Sequence, residues 1–182
     1  MHRFVLVAAL PLMLASNMAF GLDTPPNILI QAVHSEKCLD VFEASRQERA
    51  DIVQFTCHGG PNQRWTIKEL VPPDVPFGVT GLHHITVLHT GMCMDVFNFS
   101  VDNKAKLIQF NCHNGNNQRF IMDSGPPPPP GQVLNIFRVR FHIISVHSSK
   151  CLDIQDGTIL DLARLIQFDC HGGTNQQFRL IQ

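Results

Sequence analysis

The sequence predicts an all-β protein, a β-trefoil of three pseudo-equivalent lobes with four short strands each. Three observations support this prediction. A cysteine-rich string occurs three times, as CHGGPNQRW, CHNGNNQRF and CHGGTNQQF. Each copy follows a C-[LM]-D-[VI] segment at a fixed distance, and short apolar runs bounded by turn residues recur between them. Three such units can pool their apolar faces in one core and close a barrel that leaves few free edges.

The four strands of each lobe are predicted from β-branched and aromatic runs that end at turn residues. The first strands are predicted at 28–33, 84–88 and 141–146, the second at 38–42, 93–97 and 151–154, the third at 52–56, 107–111 and 165–169, and the fourth directly after Gln63, Gln118 and Gln176. The lobes are expected at about 22–71, 79–124 and 132–182. The proline-rich segments 71–78 and 125–131 are predicted to be surface connectors, the second an extended polyproline spacer.

The first 21 residues have the pattern of a signal peptide. Arg3 precedes an apolar run from residue 4 to residue 15, and small residues follow, with Ala19 and Gly21 where a signal peptidase cleaves. An uncleaved membrane anchor is the alternative, but that apolar run is shorter than the ~20 residues of a membrane-spanning helix. We therefore expect a secreted protein, extracellular or periplasmic, whose single domain covers 22–182.

The charge of the chain argues against two classes of partner. The net charge is −1, and removal of Arg3 with the signal peptide leaves 13 basic against 15 acidic side chains, a net charge of −2. An even balance of this kind provides no basic surface for nucleic acid or for anionic lipid. We expect neither nucleic-acid binding nor a membrane span.

The six cysteines are predicted to form three disulfides, one in each lobe. Six cysteines allow several pairings. Pairing within each repeat keeps the threefold pattern and closes short, equal loops, each worth about 3 kcal/mol. The predicted pairs, each 19 residues apart, are Cys38–Cys57, Cys93–Cys112 and Cys151–Cys170.

The same cysteines, histidines and aspartates could instead form a metal centre or a catalytic site. His34, Cys38, Cys57 and His58 have zinc-like spacing, but neighbouring residues of a strand point to opposite faces, and secretion favours oxidised sulfur. A disulfide also removes the thiolate that a Cys-His nucleophile needs. The repeated aspartates belong to separate lobes, farther apart than the roughly 5 to 9.5 Å of a glycosidase carboxylate pair. We therefore expect no metal, no cofactor and no enzyme.

The repeated C-[LM]-D-[VI] and N-Q-x-[WF] motifs closely resemble those of the ricin B-type lectin family, the Q-x-W repeat β-trefoil carbohydrate-binding modules. The resemblance covers residues 27–182. It implies one shallow sugar pocket in each lobe, built from an outward-facing aspartate, an aromatic ring, a histidine and an Asn-Gln pair. The residues at these positions are Asp40, Phe55, His58, Asn62 and Gln63; Asp95, Phe110, His113, Asn117 and Gln118; and Asp153, Phe168, His171, Asn175 and Gln176.

Each of these positions also has a structural interpretation. Trp65, Phe120 and Phe178 are expected in the shared core, and the glutamines before them are expected chiefly to bond backbone. The histidines before the first cysteines, His34, His89 and His147, are expected in turns. Strand periodicity places Phe55 inward whereas the resemblance places it in a pocket, and the sequence leaves both positions open.

The expected function is that of a secreted, non-catalytic carbohydrate-binding protein with up to three shallow pockets that act together by avidity on glycans or polysaccharide. An ionised carboxylate accepts hydrogen bonds from sugar hydroxyls, and a flat ring covers the apolar face of a pyranose. Charge on the pocket histidines between pH 5 and 7 is expected to alter ligand hydrogen bonds. The alternatives are a receptor-binding or scaffold subunit of a secreted toxin or complex, with a protein partner, and a protease inhibitor.

Overall fold

The structure, a computed structural model, describes residues 27–70, 81–125 and 135–182. These residues contain twelve short antiparallel strands. The strands are β1 Ile28–Ala32, β2 Cys38–Val41, β3 Ile52–Phe55, β4 Arg64–Glu69, β5 Leu82–Val87, β6 Cys93–Val96, β7 Leu107–Phe110, β8 Phe120–Asp123, β9 His142–Ser145, β10 Cys151–Ile154, β11 Leu165–Phe168 and β12 Phe178–Ile181. All twelve predicted strands are confirmed, most within one residue of the predicted ends. The predicted signal peptide and both connectors, apart from Gly125, lie outside the described residues.

Six of the strands form a barrel. β1 pairs with β12 and with β4, β4 pairs with β5, β5 with β8, and β8 with β9. A bridge between Phe141 and Phe178 links the start of β9 to β12 and completes the ring. β5 begins at Leu82, two residues before its predicted start, because its first residues pair with both β4 and β8.

The other six strands form three hairpins, β2–β3, β6–β7 and β10–β11, each paired over four residues. Single bridges join the hairpins to one another: Asp51 to Ile108, Lys106 to Ile166, and Val53 to Arg164. A six-stranded barrel with three hairpins around a pseudo-threefold axis is the predicted β-trefoil.

The apolar core lies between the barrel and the hairpins. Its largest fully buried side chains include Trp65, Phe120 and Phe178, the aromatic residues of the three Q-x-[WF] motifs. The indole Nε1 of Trp65 donates a hydrogen bond to the Leu39 carbonyl at 3.1 Å, so the one polar atom of this ring is satisfied inside the core. The prediction that these rings are architectural is confirmed.

Three disulfides connect each second strand to the segment after the third, as predicted. They join Cys38 to Cys57, Cys93 to Cys112 and Cys151 to Cys170, with Cα–Cα distances of 5.1, 5.0 and 5.1 Å. All six cysteines are therefore oxidised, and none offers a thiolate to a metal or a substrate. Over the residues that the structure describes, no helix has the length and apolar character to cross a membrane.

Candidate functional site

Each hairpin presents an aspartate and a phenylalanine on the same face. In the first lobe Asp40 pairs with Val53, and Cys38 pairs with Phe55. Directly paired residues of antiparallel strands share a face, and so do residues two apart, so the carboxylate of Asp40 and the ring of Phe55 are diagonal neighbours. The opposite face, with Leu39 and Ile52, packs into the core. The register therefore decides the question that periodicity left open, and Phe55 faces away from the core.

A surface cavity lies over this face in every lobe. The first, of about 330 Å³, is lined by Asp40, Phe55, His58 and Asn62, all predicted site residues. The corresponding sets in the second and third lobes are Asp95, Phe110, His113 and Asn117, and Asp153, Phe168, His171 and Asn175. The structure thus brings together four of the five predicted residues in each lobe.

The aspartate is the centre of a polar network in each cavity. In the first lobe, Oδ1 of Asp40 accepts a hydrogen bond from Asn62 Nδ2 at 3.0 Å, and Oδ2 accepts one from Gln63 Nε2 at 2.9 Å. The Nε2 atom of His58 lies 3.3 Å from the same Oδ2. In the other lobes the glutamine amide lies 2.7 Å from Asp95 and 2.9 Å from Asp153, and the histidine Nε2 lies 3.4 and 3.2 Å from these carboxylates.

The histidine ring is oriented by a glycine. The backbone N–H of Gly60 donates to Nδ1 of His58 at 3.0 Å, and Gly115 and Gly173 do the same for His113 and His171 at 3.0 and 3.1 Å. Because Nδ1 accepts, the proton of the neutral ring lies on Nε2, which donates to the aspartate. The ring edge also meets the phenylalanine, with centroids 6.1 Å apart for Phe55 and His58. The imidazole is thus fixed at the cavity mouth.

The predicted sugar contact of the three glutamines needs correction. Gln63, Gln118 and Gln176 are fully buried and do not line the cavities. Each amide nitrogen donates to the aspartate and to a backbone carbonyl, and each amide oxygen accepts a backbone N–H, as in the 2.8 Å bond from His58 N to Gln63 Oε1. They lie behind the carboxylate and position it.

The three aspartates were predicted to face outward, but the structure shows them to be almost completely buried. Asp40, Asp95 and Asp153 are 4%, 3% and 3% exposed, although each contributes to its cavity wall. Burial raises the pKa of Asp40 and of Asp95, while the hydrogen bonds from Gln63 and Gln118 act in the opposite direction. Only a small part of each carboxylate is left for a ligand to reach.

Sequence reasoning missed the rim of each cavity. After each second strand a single 3₁₀ turn, Phe42–Ala44, Phe97–Phe99 or Gln155–Gly157, contributes residues to the cavity wall. Two successive residues of each turn have positive φ, for example 55° and 49° at Glu43 and Ala44. This backbone is costly for residues other than glycine and is found where the surrounding structure requires it. The Asp-Gly pair of the third turn was the available sequence signal.

A neighbouring lobe supplies one further residue to each cavity. Leu162 of the third lobe lines the first cavity, Arg49 of the first lobe lines the second, and Lys104 of the second lobe lines the third. All three have φ near +68°, and each donates its backbone N–H to a glutamine carbonyl on the third strand of the adjacent lobe. No local sequence signal predicts this contribution, because the partners are far apart in the chain.

The fold and the cavities define a threefold β-trefoil with one polar surface site in every lobe. A family model described as the ricin-type beta-trefoil lectin domain matches residues 26–126. The chain belongs to this family. None of the curated proteins matches the sequence.

Solved structures with the same fold include designed and natural proteins. The designed threefold symmetric protein ThreeFoil is 30% identical, with a TM-score of 0.70 over 85% of this chain and 97% of its own. The exo-beta-1,3-galactanase 1,3Gal43A from Clostridium thermocellum is 26% identical, with a TM-score of 0.70 over 87% of this chain but only 30% of the enzyme. The C-half of the earthworm R-type lectin, solved with GalNAc, is 17% identical, with a TM-score of 0.58 over 86% of this chain and 98% of its own, and shows the fold alone.

Proposed function

We propose that this protein is a secreted, non-catalytic lectin that binds glycans or polysaccharide through three shallow pockets. One observation carries the proposal: an aspartate, a phenylalanine, a histidine and an asparagine surround a surface cavity in every lobe. The carboxylate and the imidazole exchange hydrogen bonds with sugar hydroxyls, and the ring covers the apolar sugar face. Membership of the ricin-type lectin family supports the same function.

Avidity is the proposed mechanism. A shallow site that contacts one sugar unit binds at about millimolar strength. Three sites on one rigid body, held by three disulfides, gain about 10²-fold on a surface that displays repeated sugars. Three disulfides also fit an oxidising compartment, in agreement with the signal peptide that the sequence predicts.

The test compares binding of the purified, oxidised protein to a glycan array with binding of variants that lack the aromatic ring. Phe55→Ala, Phe110→Ala and Phe168→Ala each remove one pocket wall, and these rings lie outside the buried core. Each single variant is expected to weaken binding to a polyvalent ligand, and the triple variant to abolish it.

The matched control is Ile121→Ala, which removes an apolar side chain that is 39% exposed and lies outside the three cavities. Its array profile is expected to equal that of the wild type. Undiminished binding by the folded triple variant contradicts the pocket assignment. A wild-type protein that binds no member of the array contradicts the proposed function.

A protein-binding role is the second candidate, and one loop favours it. Ile159, Leu160 and Leu162, in the loop between β10 and β11, are 64%, 70% and 52% exposed. The equivalent loops of the first two lobes, SRQERAD and SVDNKAK, are mostly polar and expose only one large apolar side chain, that of Val101. Co-purification of a second polypeptide with the native protein, lost in Leu160→Lys while glycan binding persists, supports this role. Isolation of the native protein as a single chain argues against it.

A further inference from the structure

The three cavities share their four central residues but differ in the residues of their rims. The first has Glu43 from its own turn and Leu162 from the adjacent lobe. The second has Asn98 and Arg49 at these two positions. The third has Asp156 and Lys104. These two positions therefore give the three rims different charges.

The charges of the rims differ in a way that singles out the second cavity. Its lining holds the cation of Arg49 and one carboxylate, that of Asp95. The first cavity holds two carboxylates and no cation, and the third places a second carboxylate, Asp156, beside the cation of Lys104. The second cavity is thus the least repulsive of the three toward an anion.

The backbone of Arg49 is held firmly at this site. Its N–H donates to the Gln109 carbonyl at 2.8 Å, with φ at +67°. The guanidinium carbon lies 5.9 Å from the ring centroid of Phe110, over the aromatic wall of the same cavity. Among the described residues Arg49 forms no salt bridge, so its guanidinium is available for an external anion.

Phe99 adds a second aromatic wall. Its exposed ring stacks on His113, with centroids 5.8 Å apart and an interplanar angle of 22°. The equivalent residues of the other lobes are Ala44 and Gly157, which leave this space open. The second cavity is accordingly the smallest, about 120 Å³ against about 330 and 380 Å³. It is a narrow, ring-lined site with a guanidinium at its edge.

We infer that the second pocket binds a sugar unit that carries an anionic group, a carboxylate or a sulfate, and pairs that group with Arg49. The first pocket, with Glu43 at its rim, binds neutral sugar units. A guanidinium offers two parallel N–H donors to the oxygens of either anion, while the rings hold the pyranose. This inference rests on the proposed lectin function and adds a ligand class to one of its sites.

The experiment uses matched polyvalent probes: galactose, galacturonic acid and galactose 6-sulfate, and the same three forms of glucose, each displayed on one polymer. We expect the wild-type protein to bind at least one acidic probe more tightly than its neutral counterpart, with a preference that falls as salt is added. Arg49→Gln is expected to reduce acidic binding about fivefold, as for an exposed ion pair, and so to remove the preference for acidic over neutral probes. The uronate and sulfate probes show which anion is preferred.

Two further variants sharpen the test. Lys68→Gln removes the same charge from an exposed position on β4, outside the three cavities, and is expected to retain the acidic preference. Glu43→Asn combined with Leu162→Arg copies the charges of the second rim onto the first, with the arginine at a position whose φ of +68° is close to the +67° of Arg49. This double variant is expected to gain acidic binding.

The outcomes separate this inference from the lectin function. Equal binding of acidic and neutral probes by the wild type, or an acidic preference that survives Arg49→Gln, overturns the inference while neutral binding still supports a lectin. Failure of the wild type to bind any probe or any member of the glycan array overturns both.

Discussion

At the scale of single residues, the burial of the pocket aspartates makes the stability of the protein depend on pH. Burial raises the folded-state pKa of Asp40 and Asp95 above the ordinary value of 3.8. At a pH between the ordinary pKa of the unfolded chain and the raised pKa of the folded state, the folded protein holds protons that the unfolded chain has released. The contribution of these groups to stability is therefore fully present below the unfolded pKa and is lost as the pH rises through the folded pKa.

Because the pKa values of Asp40 and Asp95 are raised, we expect sugar binding to be lost at a higher pH than it would be if these aspartates had their ordinary pKa. As the pH falls below neutrality, protonation removes the charge with which Asp40 and Asp95 accept hydrogen bonds from ligand hydroxyls. The measurement is binding to an immobilised neutral polysaccharide from pH 7 to pH 3.5, with circular dichroism to confirm that the protein stays folded. Binding that stays constant down to pH 4 in the folded protein contradicts this prediction.

A second residue-scale prediction concerns Gly115, which leaves room for the second pocket. An added Cβ would lie 2.6 Å from both Cε1 of His113 and Oδ1 of Asn117, too close for either side chain to stay in place. The φ of −72° suits alanine, so the clash is the main effect. Gly115→Ala is expected to impair the second pocket and to reduce polyvalent binding by the amount seen with Phe110→Ala.

Gly91→Ala is the control for this variant. Its Cβ meets nothing within 4 Å, but the φ of +71° strains an alanine. We expect it to lower stability by about 1 kcal/mol and to leave binding intact. If both variants reduced binding equally, general destabilisation rather than pocket geometry would explain the loss.

At the scale of elements, the hairpins are joined by buried glutamines that bind the neighbouring lobe. Gln109 on β7 donates to the carbonyls of Ser45 and Gln47, both at 2.8 Å, and its amide oxygen accepts a hydrogen bond from Thr90. Gln54 and Gln167 make the equivalent contacts to the third and second lobes. Each hairpin therefore holds the loop that supplies the cross-lobe residue of its own cavity.

The histidines before the first cysteines strengthen the same contacts. They lie in turns, as predicted, but their rings reach across lobes. Nε2 of His34 lies 2.9 Å from the Thr158 carbonyl, and Nε2 of His89 lies 2.8 Å from the Ser45 carbonyl. His147 contacts the Phe99 carbonyl at 2.6 Å. These residues connect lobes and do not line the cavities.

Gln109→Leu is predicted to destabilise the protein and to disturb the second pocket. Leucine has a similar size but cannot donate to either carbonyl: Ser45 keeps its contact with His89, whereas the partly buried contact to Gln47 is lost, at about 1–3 kcal/mol. The free energy of unfolding, measured in urea under oxidising conditions, is expected to fall by about 1–3 kcal/mol. Binding of acidic probes is expected to weaken as well, because the loop with Arg49 loses its anchor.

The control for this variant is Gln47→Leu, which changes an exposed side chain in the loop that Gln109 holds. Its effect on unfolding is expected to stay within about 0.5 kcal/mol. A Gln109→Leu protein as stable as the wild type would show that the cross-lobe hydrogen bonds do not hold the loop.

At the scale of the whole molecule, three equivalent residues with different charges meet where the hairpins join. Asp51, Lys106 and Arg164 each precede a third strand. Nζ of Lys106 lies 2.6 Å from Oδ1 of Asp51, and Nε of Arg164 lies 3.2 Å from Oδ2. The three repeats thus differ in charge at this one position. The single carboxylate of Asp51 pairs with both cations, and these ion pairs connect all three lobes.

Asp51→Asn is predicted to lower the free energy of unfolding by about 1 kcal/mol, since it leaves two cations facing each other at a partly exposed site. The loss is expected to shrink at high salt, where the repulsion is screened. The control, Asp156→Asn, removes the same charge from an exposed turn and is expected to have little effect on stability. Urea unfolding at low and high ionic strength checks both, and a loss independent of salt would contradict the electrostatic explanation.

The sequence by itself determined the trefoil, the twelve strands, the three disulfides and four of the five residues proposed for each pocket. These features repeat along the chain at short range, so spacing and strand period reveal them. The tertiary structure decided the direction of Phe55, the positioning role of the buried glutamines such as Gln63, and the supply of Arg49, Lys104 and Leu162 from adjacent lobes. Register and contacts between distant segments set these features, and a local pattern carries no information about either.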